Sequence, residues 1–112
     1  MNMRKTSIKN ERLKELLRLE AAKFLERESN RTSLITVTGI TLSMRDKKAT
    51  LLMTVYPEDR EKDALSFAKR KRSEFRNYLL KEIRLGYAPT IEFEIDRGEK
   101  NRQKIEELLN KR

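Results

Sequence analysis

The sequence predicts an α+β fold: a small three-stranded mixed sheet with helices packed on one face. Three observations predict it. Two β-branched stretches, LITVTGITLS and ATLLMTVYP, flank the short turn MRDKK and read as an antiparallel hairpin. A long helical segment, from Glu58 to about Leu85, separates the hairpin from a third stretch, TIEFEID, that alternates strictly. A crossover of that length lets the second and third strands run parallel with right-handed chirality.

The elements follow in order. Leu13, Leu16, Leu17, Ala21, Phe24 and Leu25 recur at helical spacing with charged residues opposite, so the first helix is expected from about Ile8 to Glu28, with residues 1–7 as a flexible tail. The turn-forming SNRTS ends it. In the first strand the apolar positions are Ile35 and Val37, then Ile40 and Leu42. Their parity switches at Thr38-Gly39, which predicts a bulge at Gly39, because a one-residue slip turns every later side chain to the other face. Ala49, Leu51, Met53 and Val55 alternate in the second strand, and Pro57 stops it for want of an N–H.

The next helix places Ala64, Leu65, Ala68, Phe75, Tyr78, Leu79 and Ile83 on one stripe, and GYAP breaks it, with Gly86 suited to the position past its end. Ile91, Phe93 and Ile95 point inward from the third strand, and Glu92, Glu94 and Asp96 point outward. RGEKNRQKIEELLNKR closes the chain as a short helix with Ile105, Leu108 and Leu109 on its inner side. Helix, strand, strand, helix, strand, helix is the order of a type II K-homology (KH) domain, and no linker divides residues 1–112.

Composition narrows function. The chain has no Cys and no His, which excludes disulfide frameworks, zinc fingers and Ser-His or Cys-His chemistry. Gly-rich phosphate loops and nucleophile elbows are missing too, so an enzyme is not expected, nor a cofactor or metal. Glu92 and Glu94 are accounted for as the polar side of a half-buried strand. Net charge is +9, with 27 Lys and Arg against 18 Asp and Glu, so the favoured partner is a polyanion, nucleic acid before membrane. The N-terminus has no apolar run behind its charges and no stretch is long enough to span a bilayer, which fits a cytoplasmic protein. Phe24, Phe75 and Phe93 are expected in the core. Tyr56 and Tyr87 stand at element ends, where terminal packing is expected and base stacking is the alternative.

One stretch conflicts with its own helix. AKRKRSEF, Ala68 to Phe75, carries four consecutive cations, and at about 100° per residue they sweep the whole helix surface. Arg72 falls on the stripe set by Ala68, Phe75 and Leu79, where an unpaired buried charge is very costly. Either the arginine snorkels out along its aliphatic stem, or the helix bends near Arg70–Ser73 and presents Lys69, Arg70, Lys71 and Arg72 from a corner. Such a corner, with the following helix's N-terminal N–H groups beside it, suits a phosphate backbone. These four are the leading RNA-contact candidates. Arg76 and Arg84 come second, and Lys81, Arg4 and Lys5 are weaker.

The ordered set of pieces resembles bacterial ribosome-binding factor A over nearly the whole chain. ITVTGITLS, then Asp46, then KKATLLMTV is similar to the family's hairpin. YLLKEIRLGYAPTIEFEID is similar to its helix, Arg-Leu turn, proline and final strand, and IEELLNK to its closing helix. The resemblance implies a type II KH fold in a factor that binds the free small (30S) ribosomal subunit late in assembly, near the 5′-terminal helix and decoding region of 16S rRNA. It further implies help with rRNA maturation, a part in cold adaptation, and departure before translation. Two features depart from the family: KRKRSE stands where it carries Ala-x-Gly at its helix–kink–helix, and the turn SMRDKKA differs in length. The expected protein is a monomer that binds rRNA without catalysis. The alternatives are a general KH-like single-stranded RNA-binding module and a protein-interaction adaptor.

Overall fold

The apolar stripes and strands assemble as their periods require. The computed structural model describes residues 3–111, with side chains described for residues 10–111. Its elements are α1 (Met3–Glu28), β1 (Leu34–Ser43), β2 (Lys48–Tyr56), a 3₁₀ turn (Glu58–Arg60), α2 (Glu61–Arg70), α3 (Arg72–Lys81), β3 (Thr90–Ile95) and α4 (Arg97–Leu109). The sheet order is β1-β2-β3, with β1 antiparallel and β3 parallel to β2, so the sheet is mixed. α1, α2 and α3 supply the cover of its inner face.

Core and register follow from the alternation. Val37 is opposite Met53, Leu51 is paired with Phe93, and Met53 with Ile95; all five are buried. The helices meet them with Leu17, Ala21, Phe24 and Leu25 of α1, Ala64 and Ala68 of α2, and Phe75 and Leu79 of α3. Phe75 is the hub: its ring centroid lies 5.3 Å from Phe24 and 6.3 Å from Phe93, tying α1, α3 and β3 together. The expected bulge is there, with the register shifting between Val37 and Gly39. The residue left over is Thr38, whose hydroxyl donates to Asp96 Oδ2 at 2.6 Å. Asp96 in turn caps α4 by accepting the Glu99 N–H at 3.0 Å.

Four expectations need correction. The first helix was expected from about Ile8, yet it begins at Met3; no proline or glycine lies in the stretch ahead of Leu13 to stop its propagation. The side chains of Arg4 and Lys5 lie outside the described residues. The helix after the break ends at Lys81 rather than near Leu85. Its chain reversal therefore falls on Arg84, at φ 60°, and not on Gly86, which has no positive φ. There the Ile83 N–H reaches the Tyr78 carbonyl and the Leu85 N–H the Leu79 carbonyl, which satisfies the end of the helix. Tyr56 and Tyr87 are not buried at the element ends; Tyr56 is exposed and Tyr87 half exposed.

The fourth correction concerns α4, which buries none of its residues: Ile105, Leu108 and Leu109 are 58%, 69% and 64% exposed. The inner face of the sheet is already occupied by three helices when the chain reaches Asp96. The Asp96 N–H bonds the Met53 carbonyl at the end of the β2–β3 ladder, so α4 starts where that pairing stops. It is tethered by Lys100, whose Nζ lies 2.9 Å from both Glu58 and Glu61.

Candidate nucleic-acid interface

The conflict at Arg72 is resolved by both of the expected routes at once. The helix divides at Lys71, inside the expected Arg70–Ser73 interval, and Lys71 takes φ −92° and ψ 3°. That is the sparsely populated bridge region, and it spares the chain a glycine. The Lys71 N–H is shared between the carbonyls of Phe67 at 3.2 Å and Ala68 at 3.1 Å, a tightened last turn for α2.

Arg72 holds the break in place. Its Nε donates to the Lys69 carbonyl at 2.9 Å, in the last turn of α2, where a cation suits the helix dipole. Its Nη1 donates to both oxygens of Glu92 on β3 at 2.6 Å. The guanidinium thus leaves the core stripe over the free edge of β3 and meets a carboxylate on the outer face of the sheet. Ala68 and Phe75 on either side stay fully buried.

The remaining cations divide sharply. Lys71 is half-buried between Glu74 at 3.3 Å and Glu28 at 3.8 Å. Lys69 and Arg70 are exposed, and neither joins an ion pair among the described residues. Arg70 lines a groove of about 200 Å³ with Glu28, Ser29, Asn30, Asp63 and Phe67. No side chain caps the N-terminus of α3, which begins one residue after α2 ends. Arg76 is exposed and donates through Nη2 to the Ala88 carbonyl at 3.0 Å, away from the corner. Arg84 and Lys81 are exposed at the far end of α3. The structure therefore brings Lys69, Arg70, Lys71 and Arg72 together, uses the last two internally, and leaves Arg76 and Arg84 apart.

Sequence reasoning missed three contacts. Glu92 was read as the plain polar side of a strand, and it is the counter-ion of Arg72. Glu20 is a buried carboxylate that accepts the Tyr78 hydroxyl at 2.7 Å and faces Lys23 at 3.6 Å; its hydrogen bond to the phenol, with burial, raises the Tyr78 pKa. Lys100 anchors α4. The signal in each case is an opposite charge or phenol far along the chain, visible only once the topology is known. Among the described residues no cluster of acids could hold a metal ion, and no helix is long and apolar enough to cross a membrane.

The model of one protein family, ribosome-binding factor A, matches residues 9–109. The chain belongs to the ribosome-binding factor A family. A ribosome-binding factor A of Fervidobacterium nodosum is 30% identical over 79 residues, 70% of this chain, and the chain spans only 63% of that relative's length. The crystal structure of ribosome-binding factor A from Thermus thermophilus superposes with a TM-score of 0.67 at 22% identity, over 77% of this chain and 93% of that one. A homology model of the Thermus factor, fitted into a cryo-EM map of its complex with the 30S subunit, gives 0.63 at 21% identity over 75% and 91%. The solution structure of a Thermotoga maritima protein described as a putative ribosome binding factor A gives 0.53 at 28% identity over 76% and 88%. Within this family the present chain forms its helix–break–helix with Arg72 and Glu92, and with no Ala-x-Gly.

Proposed function

We propose that this ribosome-binding factor A family member binds the free small ribosomal subunit and assists late maturation of 16S rRNA. It holds an rRNA segment and excludes wrong pairings, with no bond made or broken. The observation that carries the reading is the α2–α3 corner. Two exposed cations that join no ion pair among the described residues, Lys69 and Arg70, stand at the break between the two helices, and side chains of this kind position a phosphate backbone. The net charge of +9 supplies the long-range attraction. Family membership and the seating of the Thermus factor on its own 30S subunit support the same partner. In this reading Lys71 and Arg72 shape the corner, Lys69 and Arg70 make the contact, and Arg76 and Arg84 lie outside it. The protein works as a monomer in the cytoplasm, and its part is greatest in the cold, where wrong rRNA pairings persist longest.

A sucrose gradient of cell lysate tests the function. Migration with free small subunits and not with polysomes is the expected result. Migration with neither, together with retained affinity for short single-stranded RNA, would replace it by a general single-stranded RNA-binding module.

A further inference from the structure

A cavity beside the hairpin turn has a composition that the assembly reading does not use. Leu13 of α1, Leu42 and Met44 at the end of β1, Lys47 in the hairpin turn, and Tyr87 and Pro89 before β3 enclose an almost wholly apolar space of about 130 Å³. A water molecule's share of liquid volume is about 30 Å³, so the space is large for one water and too apolar to hold several. Its rim is unusual for a surface: Met44 and Tyr87, both large and apolar, are 56% and 52% exposed.

The rim is held in place and is basic. The Thr90 N–H donates to the Lys47 carbonyl at 2.8 Å, locking the hairpin turn to the start of β3. The one carboxylate of the turn, Asp46, is occupied by the Ser43 hydroxyl at 3.0 Å. Arg45 and Lys47 are exposed and join no ion pair among the described residues. Arg76 donates to the carbonyl of Ala88, next to Tyr87, and brings a third cation to the same segment.

We infer that this cavity takes one unstacked base of a single-stranded RNA, with Tyr87 against its face and Lys47, Arg45 and Arg76 on the flanking phosphates. An apolar slot with an exposed aromatic wall and a cationic rim is the combination that binds bases without sequence preference. The rim charge selects a nucleotide over an apolar peptide side chain, which would gain nothing from three cations. The site is separate from the corner. Leu13 lines the cavity and Glu28 touches Lys71, and the fifteen helical steps of α1 from one to the other span about 22 Å. The same strand contacting both would be held at two points, which is how a segment is kept from pairing elsewhere.

The inference rests on the RNA-binding reading, and the test separates the two. Affinity is measured by fluorescence anisotropy for a short labelled RNA of mixed sequence and for an abasic ribose-phosphate oligomer of equal length. Tyr87→Ala is expected to weaken the RNA about tenfold and to leave the abasic oligomer unchanged, while Tyr87→Phe retains both. Lys47→Glu is expected to weaken both ligands. Equal RNA affinity for Tyr87→Ala and the unchanged chain would overturn the base site alone. Unchanged RNA affinity with lost co-sedimentation would give the cavity to a protein of the subunit and also overturn it. No RNA binding by the unchanged chain would remove the RNA reading and this site with it. Since Tyr87 is half exposed, melting curves of both Tyr87 variants are expected to coincide with that of the unchanged chain.

Discussion

Lys69 and Arg70 are followed without a gap by Lys71 and Arg72, yet the two halves of this basic run do opposite things. The first pair ends α2 on its solvent side and joins no ion pair among the described residues. The second pair sits at the break, where Lys71 faces Glu28 and Glu74 and Arg72 grips Glu92. The difference teaches that a charge run need not have one purpose. Helical phase sends its members to different surroundings, and the surroundings decide which charges remain available to a ligand.

The core side of the same break tests why it exists. Phe75→Ala removes the aromatic hub that touches α1 and β3 and leaves a cavity; the expected loss is about 3–5 kcal/mol, read by urea unfolding. Survival of full stability would mean that α3 is not anchored by its inner face. Next in size is the double variant Lys69→Glu with Arg70→Glu. Charge-assisted contacts are each worth about 1.5–3 kcal/mol, so affinity for small subunits should fall about a hundredfold or more while the melting temperature stays put. For the unchanged chain on single-stranded RNA, each phosphate neutralised at the corner should add about 0.7 to the slope of log affinity against log salt, and the variant should lose that share.

Arg72→Ala is expected to reverse the pattern, with a loss of stability and little direct loss of contact. The pair with Glu92 is part-exposed, with side chains at 41% and 22%, so solvent screening holds its worth to about 1 kcal/mol. A double-mutant cycle with Glu92→Gln isolates it, and additivity of the two single changes would show that the pair does not hold the break. Ile105→Ala and Leu108→Ala should change stability by less than about 0.5 kcal/mol, since neither side chain is buried. A larger loss would mean that α4 folds back in solution.

The smallest expected effect is on the tether of α4. The Lys100 hydrogen bond, with the charges of Lys100 and Lys104, holds the Glu58 carboxyl below the usual range. A carboxyl lowered in the folded state contributes stability above its unfolded pKa, about 4.3, and loses it as pH falls through the lower folded value. Lys100 is raised by Glu58 and Glu61, so its share is present below about pH 10.4 and is lost as pH rises through the raised value. The protection factors of amides across Arg97–Leu109, which correct for the intrinsic pH dependence of exchange, should therefore fall in acid and in strong alkali and stay level between. A profile with no acid limb would show that the tether does not hold the helix.

Most of the architecture was legible along the chain, because it is written in periods. The parity switch from Val37 to Ile40 located the bulge, the alternation of Ile91, Phe93 and Ile95 oriented β3, and the long segment between β2 and β3 made their pairing parallel. Arg72 on an apolar stripe announced a break within Arg70–Ser73, where Lys71 makes it. The site was legible only as a set of candidates: the run of cations was plain, but which of them stay free depends on Glu28 and Glu92, each reached by the fold and not by the local pattern.

What the sequence alone determined, then, is each element's kind, its buried face and the place where a helix must yield, since these depend on neighbours within a few residues. Tertiary structure alone decided three things: that Arg72 is neutralised and Arg70 is not, that α4 has no surface left to cover, and that Tyr87, Met44 and Lys47 share one cavity. The physical reason is the same throughout. Charge pairing and burial are settled by groups distant in the chain, and a stripe of apolar residues specifies a face without specifying what remains to lie against it.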